Sequence, residues 1–287
     1  MKDVDAFLSG LPAEDTTPLV GDWLVEPVTR KTSLGRSVDG ASTVSLNNGL
    51  IRRAFSLAPN GATVAFDNLL TDQAILRGVS PEARVSVNGT ELDVGGLEGQ
   101  TQYGYLRREW GEQMTSAPGA LQLVGIDSGE TQAPFPWRRC RHHADLPWPA
   151  PGVRLSMRYT ASTSPVAVTV HYEMYDAVPV LVKWLEITNV SDGPVQINRF
   201  CVEVLAVVDY ESCVEGQKGW PYPTLHVESD YAFHGMTAAR ADVTTNWLPD
   251  PRYTSQVNYQ LQSPLLLETS PPLGPDVELP AAETLTS

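Results

Sequence analysis

Three long strand-like runs follow one another between Pro165 and Asp209 with little more than turns between them. In Pro165–Tyr175 the residues alternate. Val166, Val168, Val170, Tyr172 and Met174 point one way, while Ala167, Thr169, His171, Glu173 and Tyr175 point the other. That is the period-2 signature of a strand whose sheet has two chemically different faces. Val180–Thr188 comes next and then, after the turn Asn189-Val-Ser-Asp-Gly-Pro194, the run Val195–Val208. At roughly 9–14 residues these runs are long against a mean strand of about 5–6. Such strands, joined antiparallel by turns, predict a large sandwich rather than a small barrel.

A chain of 287 residues exceeds the about 200–250 residues in which all-β folds commonly close as one domain. With 42% hydrophobic and 19% charged residues it is globular in composition and buries a sizeable core. The charge balance is acidic, 20 Lys+Arg against 34 Asp+Glu for a net charge of −14. Nucleic acid and anionic membrane surfaces are therefore poor partners. The richest basic stretch, Arg138-Arg-Cys-Arg-His-His143, is short enough to pair with the surplus acids. No stretch has the roughly 18 uninterrupted apolar residues of a membrane span, and Met1–Gly10 carries acids where a secretory signal needs a basic flank. Cys140, Cys201 and Cys213 are odd in number and lack CxxC spacing. These features predict a cytoplasmic chain with reduced thiols, a Cys201–Cys213 disulfide being the alternative.

Residues 1–40 read as a polar, Pro/Gly-punctuated lead-in with a short strand at Asp22–Val25, and 41–287 as the sandwich. Ser42–Leu46 and Leu50–Leu57 flank Asn47-Asn48-Gly49 as a hairpin, and Glu82–Val87 and Glu91–Val94 flank Asn88-Gly89 as another. Pro59-Asn60-Gly61 turns the chain into Ala62–Phe66. Gly95–Pro151 is less regular and rich in aromatics, which places it in loops across a face or edge of the sandwich. Strands are expected at Val153–Tyr159 and, late in the chain, near Leu225–Glu228, Val243–Trp247, Ser255–Gln260 and Leu265–Glu268. Helical periodicity is nearly absent, Asp67–Leu76 being the best short candidate. The fold class is all-β.

Several of these stretches resemble the N-terminal domain of glycoside hydrolase family 36, the α-galactosidase-like group. They are Val44-Ser-Leu-Asn-Asn-Gly-Leu-Ile-Arg-Arg53, Pro59–Val64 with Asp67-Asn68, Tyr172-Glu-Met-Tyr-Asp176, Pro179–Asn189, Asn198-Arg-Phe200 and His226–Tyr231. The most specific pattern is Tyr-Glu-x-Tyr-Asp-x-x-Pro followed by Lys-Trp-Leu and Thr-Asn. The resemblance implies an antiparallel β-supersandwich of the galactose-mutarotase kind, preceding a (β/α)₈ barrel that carries the catalytic aspartates. It implies no catalytic residue, cofactor or metal in this chain, and homo-oligomers of the intact protein. Thr284-Leu-Thr-Ser287 is then expected to be a strand cut short, with the last strand and the barrel missing.

The chain's own chemistry offers weaker candidates. Glycoside hydrolysis uses two carboxylates about 5–9.5 Å apart, for which Glu173, Asp176, Glu186 and Glu203 are available. Their bland alternative has Glu173 and Glu186 facing solvent and Glu203 paired with Arg199 or Lys183. A mutarotase-type epimerase would use a histidine acid and a glutamate base, with His171 and His226 as candidates. His142-His143-x-Asp145 is the single local metal-like cluster, and adjacent residues of an extended segment point apart, so loop residues are the simpler reading. G-x-S-x-G, P-loop and dinucleotide fingerprints are absent. Trp137, Trp148 and Trp220 each neighbour a proline in an irregular segment. A Pro-stiffened loop holds an indole against a sugar ring or a partner domain at small entropic cost. They are the candidate carbohydrate contacts, against the alternative of edge packing or barrel docking. A self-sufficient carbohydrate-binding or mutarotase-type protein is the competing function.

Overall fold

The computed structural model of the chain describes residues 3–19, 21–138, 140, 146–208, 225–231, 243–253 and 264–287. Its sheets are antiparallel throughout. The first is a meander of β1 (Ser33–Arg36), β2 (Thr43–Asn47), β3 (Ile51–Ser56), β4 (Ala62–Asn68) and β5 (Gln73–Ala74). A second has the order β17 (Thr245–Pro249), β18 (Pro264–Thr269), β16 (Glu203–Val207), β6 (Leu76–Gly78). A third runs β19 (Pro275–Leu279), β15 (Val195–Cys201), β7 (Ala83–Val87), β8 (Thr90–Val94), and β9 (Leu97–Glu98) pairs with β10 (Thr115–Ser116). The last is built from the long strands β11 (Gln122–Glu130), β12 (Gly152–Thr160), β13 (Val166–Tyr175) and β14 (Leu181–Asn189), closed by β20 (Thr284–Thr286).

One core joins the first, third and last sheets. From the last it takes Val166, Val168, Val170, Tyr172 and Met174, the face that the alternation selects. Opposite lie Val44, Leu46 and Phe55 of the first sheet and Val85, Val87 and Ile197 of the third. Phe55 and Tyr172 meet with ring centroids 4.7 Å apart. Within the lead-in, β1 extends the first sheet, and the helix α1 (Val4–Ser9), capped by the Asp3 carboxylate, sends Phe7 and Leu8 into the same core.

The β2–β3 turn is built by side chains. Asn47 Oδ1 accepts from Gly49 N (2.7 Å), and Asn48 Oδ1 accepts from Leu50 N and Ile51 N, both at 3.0 Å. Gly49 takes φ +84°, the left-handed conformation that such a turn requires. Asn48 Nδ2 then donates to Tyr175 O and Val178 O, each at 2.8 Å, pinning the hairpin to the β13–β14 turn.

Several local expectations are corrected. Val195–Val208 is not one strand. The chain bends at Val202, whose N–H donates to Thr269 O (2.7 Å), so Cys201 pairs with Arg84 in the third sheet and Glu203 with Thr269 in the second. Asp67–Leu76 is no helix. Asn68 Oδ1 accepts from Leu70 N (3.1 Å), Asp72 adopts φ +53°, and β5 folds back on β4. A side chain that satisfies its own backbone in a turn competes with helix formation. Asp22–Val25 is a turn, with Val25 N bonded to Asp22 O (2.9 Å), and Leu225–Glu228 has no regular secondary structure. β11 lies in the stretch read as irregular, because a register shift between Leu123 and Gly125 breaks its alternation. Ser255–Gln260 lies outside the described residues. Thr284–Thr286 forms β20 against Thr188–Glu186 of β14. Among the described residues no helix is long and apolar enough to cross a membrane.

Candidate functional site

Thr131–Pro151 connects β11 to β12 and carries two of the three predicted tryptophans. Its stem is closed by Thr131 Oγ1, which donates to Ala150 O (2.6 Å), and by Gln132 N, which donates to Glu173 Oε1 (2.7 Å). Trp148 sits between Phe135 and Trp137, at centroid distances of 5.2 and 5.7 Å, and its Nε1–H donates to Phe135 O (3.2 Å). Phe135 is 54% and Trp148 40% exposed, so the cluster presents ring area to solvent. Trp137 and Trp148 are thus brought together. Trp220 lies outside the described residues.

Glu173 is the anchor of that loop and corrects the expectation that it faces solvent. It is 2% exposed, and its second oxygen accepts from the Tyr175 hydroxyl (3.0 Å). Burial, then the Glu173 charge, push the Tyr175 phenol above its ordinary range. Gln132, at the start of the loop, lies over Glu173 on the sheet's outer face, which period-2 reasoning alone left open to water. Asp176 likewise captures backbone, accepting from Thr32 N (2.8 Å) with Lys31 at 3.1 Å. Against the upward pull of its partial burial, these contacts hold its carboxyl below the ordinary value.

Further along the outer face the strand register aligns Ser156, His171 and Trp184. Ser156 Oγ and His171 Nδ1 share a hydrogen bond of 2.8 Å, and the Trp184 indole stacks on the imidazole at 4.7 Å and 11°. Glu186 Oε2 lies 3.3 Å from His171 Nε2, close enough for a charge contact but misaligned for a hydrogen bond. Burial, the largest influence, lowers the imidazole pKa, and the Glu186 carboxylate opposes it. An epimerase needs its acid and base on opposite sides of a sugar. Here the two groups face each other directly. His226 is exposed and pairs with Glu228 at 3.0 Å, while His142, His143, Asp145 and His234 lie outside the described residues.

Glu203 faces the interior. It meets Lys183 (2.6 Å), as expected, and Arg53 (2.6 Å) rather than Arg199. The same cluster holds Glu82, which accepts from the Tyr172 hydroxyl and lies 3.8 Å from Arg53. Burial works upward on the Glu203 carboxyl, but Arg53 and Lys183 prevail and hold its pKa down to about 2. A carboxylate bonded to two buried cations is committed to the fold rather than available as a base. Cys201 donates to Glu203 O (3.1 Å), and burial pushes its thiol up to about 12; Cys213 lies outside the described residues.

The residues that sequence reasoning passed over as chemistry are Arg52 and Arg53. The available signal was two adjacent guanidiniums inside an otherwise apolar strand, which period-2 geometry must send to opposite faces. Arg53 enters the core. Arg52 emerges on the outer side of the first sheet, bonded to Glu14, Asp39 and Asp67. Among the described residues no group of three or more His, Cys, Asp and Glu could hold a metal ion. No protein-family model, no curated protein and no solved structure matches the chain.

Proposed function

We propose that this chain is the non-catalytic β-supersandwich module, of galactose-mutarotase type, of an α-galactosidase-like glycoside hydrolase. In this reading it packs on a catalytic barrel, uses no cofactor, and presents the Phe135–Trp137–Trp148 cluster to carbohydrate or to a neighbouring subunit. The carrying observation is that cluster. Three aromatic rings, interleaved with Pro134, Pro136, Pro147 and Pro149, stand on a stem bonded into the sheet through Glu173, with Phe135 and Trp148 half-exposed and Trp137 more covered. Flat amphipathic rings held this way recognise sugar faces with little ordering cost. The Tyr172–Asp176 and Lys183–Leu185 motifs, which carry the family resemblance, occupy β13, its turn and β14, and Glu173 of the first motif anchors the loop.

The candidate carboxylates support a non-catalytic role. Glu173 and Asp176 bind backbone N–H groups, Glu203 is locked between two cations, and Glu186 faces His171. The test is an aryl α-galactoside assay on this chain and on a form extended past Ser287 into a barrel. Activity in the extended form alone is expected. Turnover by the 287-residue chain itself would overturn the reading. Titration with α-galactosides, with Trp137→Ala and Trp148→Ala as controls, separates sugar contact from subunit contact.

A further inference from the structure

A cleft of about 540 Å³ lies between the outer side of β2–β4 and the segment Leu106–Met114, across β3 from the main core. Its size falls in the about 300–1,000 Å³ range of small-molecule sites. We infer that this cleft is a binding site for one neutral sugar unit, with Asp67 and Arg108 as its polar contacts. The inference does not depend on the aromatic loop or on the proposed parent enzyme.

Arg52 forms the floor and is only 9% exposed. Its Nε and Nη2 donate to Glu14 (2.5 and 3.0 Å), Nη2 also to Ser37 Oγ (2.7 Å) and Asp39, and Nη1 to Asp67 Oδ2 (2.8 Å). Every nitrogen of this guanidinium is occupied, so Arg52 frames the site rather than contacting a ligand. Asp39 is occupied as well, its other oxygen lying 3.0 Å from Arg108 Nε. What remains open is complementary. Among the described residues Asp67 Oδ1 has no partner, and the two Nη groups of Arg108 have none, its side chain being 57% exposed. One acceptor and a fork of donors thus border the cleft, as vicinal hydroxyls require. The other wall is apolar, formed by Leu76, Val79, Leu106 and Met114, and suits the C–H face of a pyranose.

The charge arrangement selects a neutral ligand. Among the residues that line the cleft, Asp39, Asp67 and Glu112 stand against Arg52, Arg107 and Arg108, three charges of each sign. A hydroxyl exchanges hydrogen bonds with Asp67 and Arg108 without disturbing that balance. An ammonium meets Arg108, and a carboxylate meets Asp67 and Asp39, in each case with a like charge.

The test is calorimetric titration and ligand-observed NMR on the 287-residue chain. The probes are galactose, glucose and methyl α-galactoside, with glucosamine and glucuronate as charged counterparts. Saturable binding of at least one neutral probe is expected, with the charged sugars at least about tenfold weaker. Leu106→Trp fills the cleft without touching the ion network and should abolish binding. Arg108→Met, an exposed change that leaves the core alone, should weaken it up to about tenfold. Trp148→Ala should leave this binding intact. The inference is overturned if no neutral probe binds, if a charged sugar binds as tightly, if binding survives Leu106→Trp, or if it is lost in Trp148→Ala.

Discussion

Replacing Glu203 by Gln tests whether the interior charge cluster is structural. In the folded chain this carboxylate accepts from Arg53 at 2.6 and 3.2 Å and from Lys183 at 2.6 Å. Its pKa falls from the ordinary 4.5 to about 2. At about 1.4 kcal/mol per decade, that corresponds to about 3 kcal/mol of stabilisation. Because the folded pKa is depressed, this contribution is fully present above pH 4.5 and is lost as pH falls from 4.5 toward 2. The amide keeps the shape but leaves Arg53 and Lys183 facing Glu82 alone, so the expected cost is about 3 kcal/mol at pH 7, within the range for breaking a buried pair. The melting temperature should then fall by about 6–12 °C. Removing Lys183 at the same time, as Lys183→Met with Glu203→Leu, restores charge parity and should cost less than the two single changes together by at least about 1 kcal/mol. Urea denaturation at pH 7 and pH 4 reads all of these, and the variant should also lose less stability on acidification. A cost below about 1 kcal/mol at pH 7, or parallel acid sensitivity of the variant and the wild type, refutes the reasoning.

Arg77 and Asp250 form a 2.7 Å pair with both side chains fully buried, so Arg77→Met should destabilise by about 3–5 kcal/mol in thermal unfolding, against a near-neutral effect for exposed Arg107→Met. The His171 imidazole should titrate below its ordinary 6.5, and Glu186→Gln should move it lower still by removing the opposing carboxylate. Imidazole NMR reads this directly, and a midpoint at or above 6.5 refutes it. Any stability that His171 contributes is present above pH 6.5 and declines on acidification through its folded pKa. Trp148→Ala should change tryptophan fluorescence through loss of the Phe135 and Trp137 contacts, yet shift stability by no more than about 1 kcal/mol because the ring is 40% exposed.

The sheet was legible wherever backbone geometry and burial follow the same period. Val166–Met174 announced its core face, and Asn48 and Asn88-Gly89 announced their hairpins, because these signals are local. What escaped was decided at long range. Val202 bends because Thr269, far along the chain, accepts its N–H. Glu173 is buried because Gln132 folds over it, and nothing in the strand's own alternation encodes that loop. Trp137 and Trp148 stood out in the sequence because proline spacing is local chemistry, whereas their direct contact, and that of Trp148 with Phe135, depends on the loop's closure. The Arg52 cleft draws Glu14, Asp39, Asp67 and Arg108 from four separate segments, and no spacing rule joins them.

Arg52 and Arg53 are chemically identical, yet one ends in the interior beside Tyr172 and the other beneath an outer cleft. Composition therefore cannot tell the strand which arginine belongs inside, since a slip of one residue would still offer a guanidinium to each side. The choice falls to the turn before them, where Asn47 and Asn48 fix the phase of β3 through bonds to Gly49, Leu50 and Ile51. Two amide side chains thus act as the reading frame for two charge networks on opposite sides of the sheet. A change at Asn48 would misplace both at once while leaving every charged residue in the chain.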